Sequence, residues 1–387
     1  MKGPSTDIIH GAEGGSLHAD PLTLPIYETT TFVFESAAEV RAYAEGRSTK
    51  FLYSRYANPT VQAVEQTLAS LERAQSALLF SSGMAATTTA LLALLDAGDE
   101  VVCSSAIYGG TLRLLGDMLP RFGIGARFVR PEDLTDAGTL IGPRTKVVWF
   151  ESPINPTLRC VDVAGVAKVC RDGGAISILD NTFASPINQQ PIALGVDLVM
   201  HSATKYLNGH SDVTAGVIAG PTGLVEKVSS ARKVLGPVLD PQAAYALGRG
   251  LKTLAVRMAR HNDNAMAVAR WLHGDKRVAR VFYPGLDSHP DHRIARAQMT
   301  GFGGMVCLEL DGGLAAASRF FDGLQVFRRA ASLGGVESLC SLPVLTSHWG
   351  HSDERLRQAG VTAGMARLSV GLEDVEDLIA DLDQALE

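Results

Sequence analysis

The chain has 387 residues, 46% of them hydrophobic and 20% charged, and its formal net charge at pH 7 is −6. A chain of this length exceeds the size at which one hydrophobic core stops growing, so two lobes or more are expected. The negative charge and the lack of a Lys/Arg block argue against a nucleic-acid partner. The sequence contains no run of eighteen apolar residues, so we expect no segment that spans a membrane.

The first predicted region is an N-terminal arm, residues 1–57. It is rich in Gly, Pro, Thr and Ser and contains little that could form a core. A segment of this kind is ordered only where it lies on other structure. We therefore expect the arm to contact a neighbouring subunit.

Residues 58–248 form the second region, in which helices alternate with short apolar strands. The first helix follows Asn58-Pro59-Thr60, and a second is predicted from Met84 to Leu95. The helix after Asn58 places on one face Val61, Val64, Leu68 and Leu71. The predicted strands are Glu100–Cys103, Lys146–Phe150, Ala175–Leu179 and Asp197–Met200. This alternation predicts a mostly parallel sheet covered by helices.

Residues 249–387 form a third region, read as a smaller α+β domain. It begins with a predicted helix, Gly250–Leu272, and contains two strand candidates, Gly303–Leu310 and Met365–Val370. The final helix follows Asp374, a plausible N-cap. One face of that helix carries Val375, Leu378, Ile379, Leu382 and Leu386.

The cysteines and histidines predict no metal site. The five cysteines are scattered, odd in number and never spaced C-x-x-C, which is typical of reduced thiols in a cytoplasmic protein. The pairs His289/His292 and His348/His351 have ligand-like spacing, but no third ligand lies nearby in the sequence.

Polar residues stand where the predicted strands end, which is where open parallel sheets bind ligands. Ser82-Gly83-Met84 opens a helix and could hold a phosphate on backbone N–H groups, although an ordinary Ser82 cap would look the same. Two prolines would hold Asn155 rigidly in its loop, or simply form an Asn-Pro turn.

Two further strand ends carry Asp180 and Lys205. A buried Asp180 needs a partner such as a protonated pyridine nitrogen, and capping of the next loop is the alternative. In His201-Ser202-Ala203-Thr204-Lys205, an extended chain would project hydroxyls suited to a phosphate and an amine able to form a Schiff base. A phosphate cradle, an aspartate and a lysine at one sheet edge are the parts that a pyridoxal 5′-phosphate (PLP) site requires.

A set of segments, matched in order from about residue 8 to the C-terminus, resembles the Cys/Met-metabolism PLP enzymes. The segments are Tyr53–Thr60, Ser81–Met84, Tyr108–Thr111, Glu151–Thr157, Asp180–Pro186, His201–Asp212, Ser332–Gly335 and Arg367–Gly371. The family includes cystathionine γ-synthase, cystathionine γ- and β-lyases, methionine γ-lyase and O-acylhomoserine sulfhydrylases. The resemblance implies a fold-type I, aspartate-aminotransferase-like PLP enzyme that forms a homotetramer of two active dimers.

The resemblance also implies residue roles. Lys205 would hold PLP as a Schiff base and move protons, and Tyr108 would stack on the cofactor and handle protons near the leaving group. Asp180 would pair with the pyridine nitrogen. The phosphate would be held by Gly83, Met84, Ser202 and Thr204, together with Tyr53 and Arg55 of the neighbouring subunit. Arg367 would bind the substrate carboxylate, with Asn155 and Ser332 as helpers.

The implied reaction is γ-elimination or γ-replacement on sulfur-containing or O-acylated homoserine amino acids, that is, a transsulfuration-type carbon–sulfur lyase or γ-replacement transferase. The alternatives are cystathionine β-lyase and O-acylhomoserine sulfhydrylase, and an aminotransferase is a rival of the same fold. Synthases and γ-lyases of cystathionine usually carry an acid where this chain has Ala331, and methionine γ-lyases carry a Cys where it has Gly110. Residues 346–351 match no single activity.

Overall fold

A computed structural model describes residues 21–387, apart from the side chain of Thr139. The first twenty residues of the predicted arm lie outside this range. None of residues 21–57 is buried, which confirms for this part of the arm that it has no core of its own. Its regular structure is one helix, α1 (Ala37–Ala44), and a single bridge between Thr31 and Tyr53.

The larger sheet has seven strands and carries the predicted parallel core. Its strands are β1 (Ser76–Phe80), β2 (Glu100–Ser104), β3 (Gly125–Val129), β4 (Thr145–Glu151), β5 (Ile176–Asp180), β6 (Leu198–Ser202) and β7 (Gly216–Gly220). They lie in the order β1-β7-β6-β5-β4-β2-β3, in which β7 pairs antiparallel with β1 and β6 and the other neighbouring pairs are parallel. The four predicted strands are confirmed as β2, β4, β5 and β6.

The smaller sheet has five strands and follows the first in sequence. Its strands are β8 (Arg280–Phe282), β9 (Met305–Glu309), β10 (Arg328–Arg329), β11 (Leu339–Ser341) and β12 (Met365–Ser369). Their order is β10-β11-β12-β9-β8, with one parallel pair, β10 and β11. The two predicted strands of this region are confirmed as β9 and β12.

The remaining α-helices cover both sheets. They are α2 (Pro59–Leu71), α3 (Gly83–Leu94), α4 (Gly109–Arg113), α5 (Ala137–Leu140), α6 (Val163–Gly173), α7 (Ser185–Asn188), α8 (Thr222–Leu235), α9 (Pro241–Leu251), α10 (Leu254–Gly274), α11 (His292–Gln298), α12 (Gly313–Gly323), α13 (Asp353–Gln358) and α14 (Val375–Ala385). Separate apolar clusters pack on the two faces of the larger sheet, and a third packs α10, α12 and α14 on the smaller one. None of the helices within residues 21–387 is long and apolar enough to cross a membrane.

Two helix predictions need correction. The predicted helix Gly250–Leu272 is interrupted, because α9 ends at Leu251 and α10 begins at Leu254. The break follows Gly250, which packs so closely on a neighbouring loop that a Cβ there would lie 2.4 Å from the Asn208 carbonyl oxygen. Asp374 stands at the start of α14 but its side chain caps nothing and instead pairs with Arg260 at 3.3 Å.

Candidate active site

The carboxyl ends of β4, β5 and β6 open into a cavity of about 690 Å³, a volume typical of small-molecule sites. Glu151 and Asp180 are paired in register at the ends of β4 and β5, and Asp180 lies beside Met200 of β6. The cavity brings together ten of the twelve predicted site residues, namely Gly83, Met84, Tyr108, Asn155, Asp180, Ser202, Thr204, Lys205, Ser332 and Arg367. Tyr53 and Arg55 do not line it.

Lys205 reaches the cavity from a turn rather than from an extended strand. Strand β6 ends at Ser202, and the Lys205 N–H donates to the Ser202 carbonyl at 3.2 Å. The condition of an extended chain through Lys205 is therefore not met, because the backbone turns directly after Ser202. The Lys205 ammonium donates to Ser332 Oγ at 2.7 Å. Burial, assisted by the nearby Arg367 guanidinium, lowers the pKa of Lys205 to about 8.

Arg367 lies in the middle of β12 and extends toward the same cavity. Its Nη1 donates to Asn155 Oδ1 and its Nη2 to the Ser332 carbonyl, each at 2.9 Å, whereas its buried Nε has no partner. The residue is 8% exposed, and burial lowers its pKa. A buried guanidinium bound only by neutral acceptors, with one free N–H, can receive a carboxylate.

Ser332 links these two cations through an unusual backbone conformation. Its hydroxyl accepts from Lys205 and its carbonyl from Arg367, and its φ is +87°. Positive φ is unfavourable for a residue with a Cβ and is found mainly where the surrounding structure enforces it. The contacts with Lys205 and Arg367 thus hold residue 332 at the point where the smaller sheet meets the larger one.

Asp180 is held by Thr182, a residue that the sequence reading missed. Asp180 Oδ1 accepts from the Thr182 N–H at 3.0 Å and from its hydroxyl, and Thr182 Oγ1 accepts from the Ser202 N–H at 2.8 Å. Burial raises the pKa of Asp180, and the Thr182 hydrogen bonds oppose that rise. A buried carboxyl at a cavity wall favours a cationic partner.

Gly83 and Gly216 allow three backbone segments to approach closely beside the cavity. A Cβ on Gly83 would lie 3.1 Å from Ser202 Cβ, and one on Gly216 would lie 2.1 Å from the Ser82 carbonyl oxygen. Ser82 caps α3 by accepting from the Ala85 N–H at 3.1 Å, so the capping interpretation of Ser82 is confirmed. The Thr204 hydroxyl is bonded to the backbone of Ala215, accepting from its N–H at 3.0 Å.

Glu151 is a second residue that the sequence reading left without a role. Its Oε1 accepts from the Tyr108 N–H at 2.6 Å, and the residue is 5% exposed. Burial, followed by the nearby Asp180, raises the pKa of Glu151 well above its ordinary value. Its place directly after a buried strand was the available signal, the same one that drew attention to Asp180.

Tyr53 and Arg55 lie outside the cavity of their own chain. The Arg55 guanidinium donates to the Lys233 carbonyl and lies 4.8 Å from the centre of the Tyr56 ring. Tyr53 is 38% exposed. Their predicted contact with the phosphate of a neighbouring subunit stays a prediction.

The two histidine pairs have other partners. His292 Nδ1 bonds to the Pro284 carbonyl at 2.8 Å, and His348 Nδ1 bonds to Ser347 Oγ at 2.9 Å. The described residues contain no group of three or more His, Cys, Asp or Glu side chains that could hold a metal ion.

A model of the family described as "Cys/Met metabolism PLP-dependent enzyme" matches residues 5–387. The chain belongs to this family. It is 42% identical to an L-methionine γ-lyase of Pseudomonas putida, over 100% of this chain and 98% of the relative. It is also 42% identical to a chloroplastic cystathionine γ-synthase of Nicotiana tabacum, over 98% of this chain and 71% of the relative.

The structural comparison agrees with the family assignment. The crystal structure of metB from Corynebacterium glutamicum matches with a TM-score of 0.89 and 39% identity, covering 100% of this chain and 98% of the other. The mostly parallel sheet, followed by a smaller domain with a mostly antiparallel sheet, is the fold-type I architecture expected from the sequence.

The Cys/Met-metabolism family is PLP-dependent, and the cavity fits that cofactor. The Asp180 carboxyl, whose pKa is raised by burial, suits a pyridine N–H, and the start of α3 at Gly83, which lies beside Ser202, could offer backbone N–H groups to a phosphate. The Lys205 amine, with its lowered pKa, suits an aldehyde carbon. These positions support the predicted cofactor roles, which remain proposals for the individual residues.

Proposed function

We propose that this enzyme catalyses γ-elimination or γ-replacement on sulfur-containing or O-acylated homoserine amino acids. The observation that carries the proposal is the meeting of Lys205 and Arg367 at Ser332. A site that acts on an α-amino acid requires a group that binds the carboxylate and a base that takes a proton. The Arg367 guanidinium and the Lys205 amine, which both contact Ser332, provide these two groups.

Lys205 and Arg367 would divide the work on the substrate. Arg367 orients the α-carboxylate through its fork of N–H donors, and Asn155 holds the guanidinium in place. Lys205, whose pKa is lowered to about 8, takes and returns protons at Cα, which bears the carboxylate, and at the adjacent Cβ. When bound, PLP supplies the electron sink that makes these protons labile. Tyr108, which lines the cavity, would handle the proton that the departing sulfur or oxygen needs.

The cavity favours side chains without a distal charge. Its lining includes Ala331, Thr346 and Ser347, and its acidic lining residues, Glu151 and Asp180, stand at the ends of β4 and β5. Glu337 is not a cavity-lining residue, and its carboxylate accepts from the Ser211 hydroxyl. We therefore propose that thioethers such as methionine are accepted alongside cystathionine, whose second ammonium finds no carboxylate here.

The identities of the relatives do not choose between these substrates, because the methionine γ-lyase and the cystathionine γ-synthase are both 42% identical to this chain. Cystathionine β-lyase and O-acylhomoserine sulfhydrylase activities are the alternatives.

A substrate panel tests the proposal. The purified enzyme would be offered cystathionine, methionine, homocysteine, or O-succinylhomoserine with cysteine, and the products identified. We expect 2-oxobutanoate and ammonia from elimination, or a new thioether from replacement. Pyruvate with homocysteine from cystathionine would show a β-lyase instead. Keto-acid release that requires an added amino acceptor would show an aminotransferase.

We further propose that the enzyme is a cytoplasmic homotetramer of two active dimers. None of residues 21–57 is buried within its own chain, which supports a contact with another subunit. The five cysteines are all buried and unpaired, as is usual for a reducing compartment.

A further inference from the structure

Glu151 lines the cavity, but the proposed chemistry gives it no role. It is the last residue of β4, is 5% exposed and stands beside Asp180 in the register of β4 and β5. Two carboxyl groups therefore occupy neighbouring strand ends, while the proposed cofactor contact uses one.

The hydrogen-bond partner of Glu151 is the main-chain N–H of Tyr108, at 2.6 Å. Tyr108 directly precedes α4, and its own side chain does not cap that helix. Its ring, with the residue 49% exposed, folds back over Gly110, where a Cβ would lie 2.5 Å from Tyr108 Cε1. Because the ring rests on its own loop, its position over the cavity depends on where the loop is fixed. Glu151 provides a fixed point from the sheet.

The surroundings of Glu151 favour its neutral form. Asp180 faces it from β5, Cys103 from β2 and the Tyr108 N–H from the start of α4, and none of these is a cation. Burial and Asp180 raise the pKa of Glu151 well above its ordinary value of 4.5. A buried carboxylate without a cation is costly, so the proton stays on the group.

The cations of the cavity are bonded elsewhere. Lys205 donates to Ser332 Oγ, and Arg367 donates to Asn155 and the Ser332 carbonyl. Where two neighbouring carboxyl groups interact strongly, they share one negative charge rather than two. A cationic partner at Asp180 would draw the charge to Asp180 and leave the proton on Glu151.

We propose that Glu151 is a positioning residue that, as a neutral carboxylic acid, holds Tyr108 over the cavity and leaves the negative charge to Asp180. The proposal rests on the proposed function, since Tyr108 acts there beside the leaving group.

Two substitutions at Glu151 separate the effect of its hydrogen bond with the Tyr108 N–H from the effect of the proton on its carboxyl group. Glu151→Gln keeps a carbonyl that can accept from the Tyr108 N–H, whereas Glu151→Ala removes it. We expect Glu151→Ala to lower kcat about ten- to hundredfold with a smaller change in KM, because misplacement of a catalytic group by about an ångström has effects of this size. Glu151→Gln should lose clearly less. The control is Glu100→Gln, at the opposite end of the same sheet, where the carboxylate accepts from Thr145 at 3.0 Å and from Arg127 at 3.2 Å.

A double-mutant cycle tests whether Glu151 acts through Tyr108. In a Tyr108→Phe background, Glu151→Ala should cost little more, because the hydroxyl that it positions is already gone. An equal loss of kcat in both backgrounds would contradict the positioning role.

The protonation of Glu151 is measured on the cofactor-free protein, without any activity. A carboxyl whose pKa is raised in the folded state contributes stability that is present below its unfolded pKa and is lost as pH rises toward its folded pKa. The melting temperature of the wild type should therefore fall relative to that of Glu151→Gln as the pH rises above the ordinary carboxyl value of 4.5. Parallel curves for the wild type and Glu151→Gln would overturn the neutral form. If the wild type converts none of the substrates in the panel, the proposed function is wrong. The melting curves still test the neutral form of Glu151, because they do not depend on activity.

Discussion

Among the residues that line the cavity, Ala331 presents no charge to a substrate. It is exposed and offers only a methyl group. A hydrogen bond to a charged group contributes roughly 1.5–3 kcal/mol when buried and less when solvent screens it. We therefore expect Ala331→Glu to raise kcat/KM for cystathionine relative to methionine by up to about tenfold, the equivalent of 1.4 kcal/mol.

The matched control for this prediction is Ala330→Glu. Ala330 is the exposed preceding residue and does not line the cavity, so it adds the same charge outside the site. Steady-state kinetics with both substrates measure the ratio. If the wild type already strongly prefers cystathionine and Ala331→Glu leaves the ratio unchanged, the distal ammonium is recognised by another group.

Residue by residue, the sequence predicted the members of the cavity better than their contacts. Asp180 and Lys205 could be found because polar residues at the end of a buried apolar strand, or shortly beyond it, have few structural reasons to be there. Glu151 stands in the same position and was missed, because its partner is a main-chain N–H 43 residues away. Which strand ends are neighbours depends on the sheet order, and local patterns do not contain that order.

At the scale of elements, the start of α3 carries the prediction for the phosphate. A Cβ on Gly83 would lie 3.1 Å from Ser202 Cβ and 3.3 Å from Ser202 Cα. The Ser202 backbone, unlike the tip of a flexible side chain, cannot easily move away from such a contact. Gly83→Ala should therefore push α3 away from β6 and weaken PLP binding about tenfold or more, since each 1.4 kcal/mol is tenfold.

Titration of the cofactor-free protein with PLP, followed by absorbance, measures this effect. Gly223→Ala is the control, because Gly223 also lies in the first turn of a helix and a Cβ there meets nothing within 4 Å. Melting temperatures of both variants show whether folding is affected. PLP affinity in Gly83→Ala equal to that of the control would place the phosphate elsewhere.

The sequence predicted the elements with clear periodicity and missed those without it. Strands β8, β10 and β11 have two or three residues, which is too short for any period. Strand β7 is fully buried and has glycine at both ends, a composition depleted in strands. The predicted helix Gly250–Leu272 missed the break at residues 252–253, which follows Gly250, a residue that packs against Asn208 far away in the sequence.

For the whole molecule, we expect active sites that are shared between subunits. Arg55 lies outside the cavity of its own chain, and residues 21–57 have no buried member. Arg55→Ala and Lys205→Ala should each be inactive alone. Because one of the two sites in a mixed dimer is fully wild type, random exchange should restore about a quarter of the wild-type activity.

Mixing Lys205→Ala with itself is the control, and native mass spectrometry of differently tagged subunits verifies the exchange. Verified mixed dimers without any recovered activity would contradict the shared site and leave Arg55 with another role.

We assign the cofactor to Lys205, and covalent trapping tests this assignment. The purified protein, loaded with PLP, would be reduced with borohydride, digested and mapped by mass spectrometry. The Lys205 amine, whose pKa is lowered to about 8, lines the cavity together with Asp180. We predict the reduced pyridoxyl adduct on Lys205 and none in Lys205→Ala. An adduct on a different lysine of the wild-type protein would contradict the account.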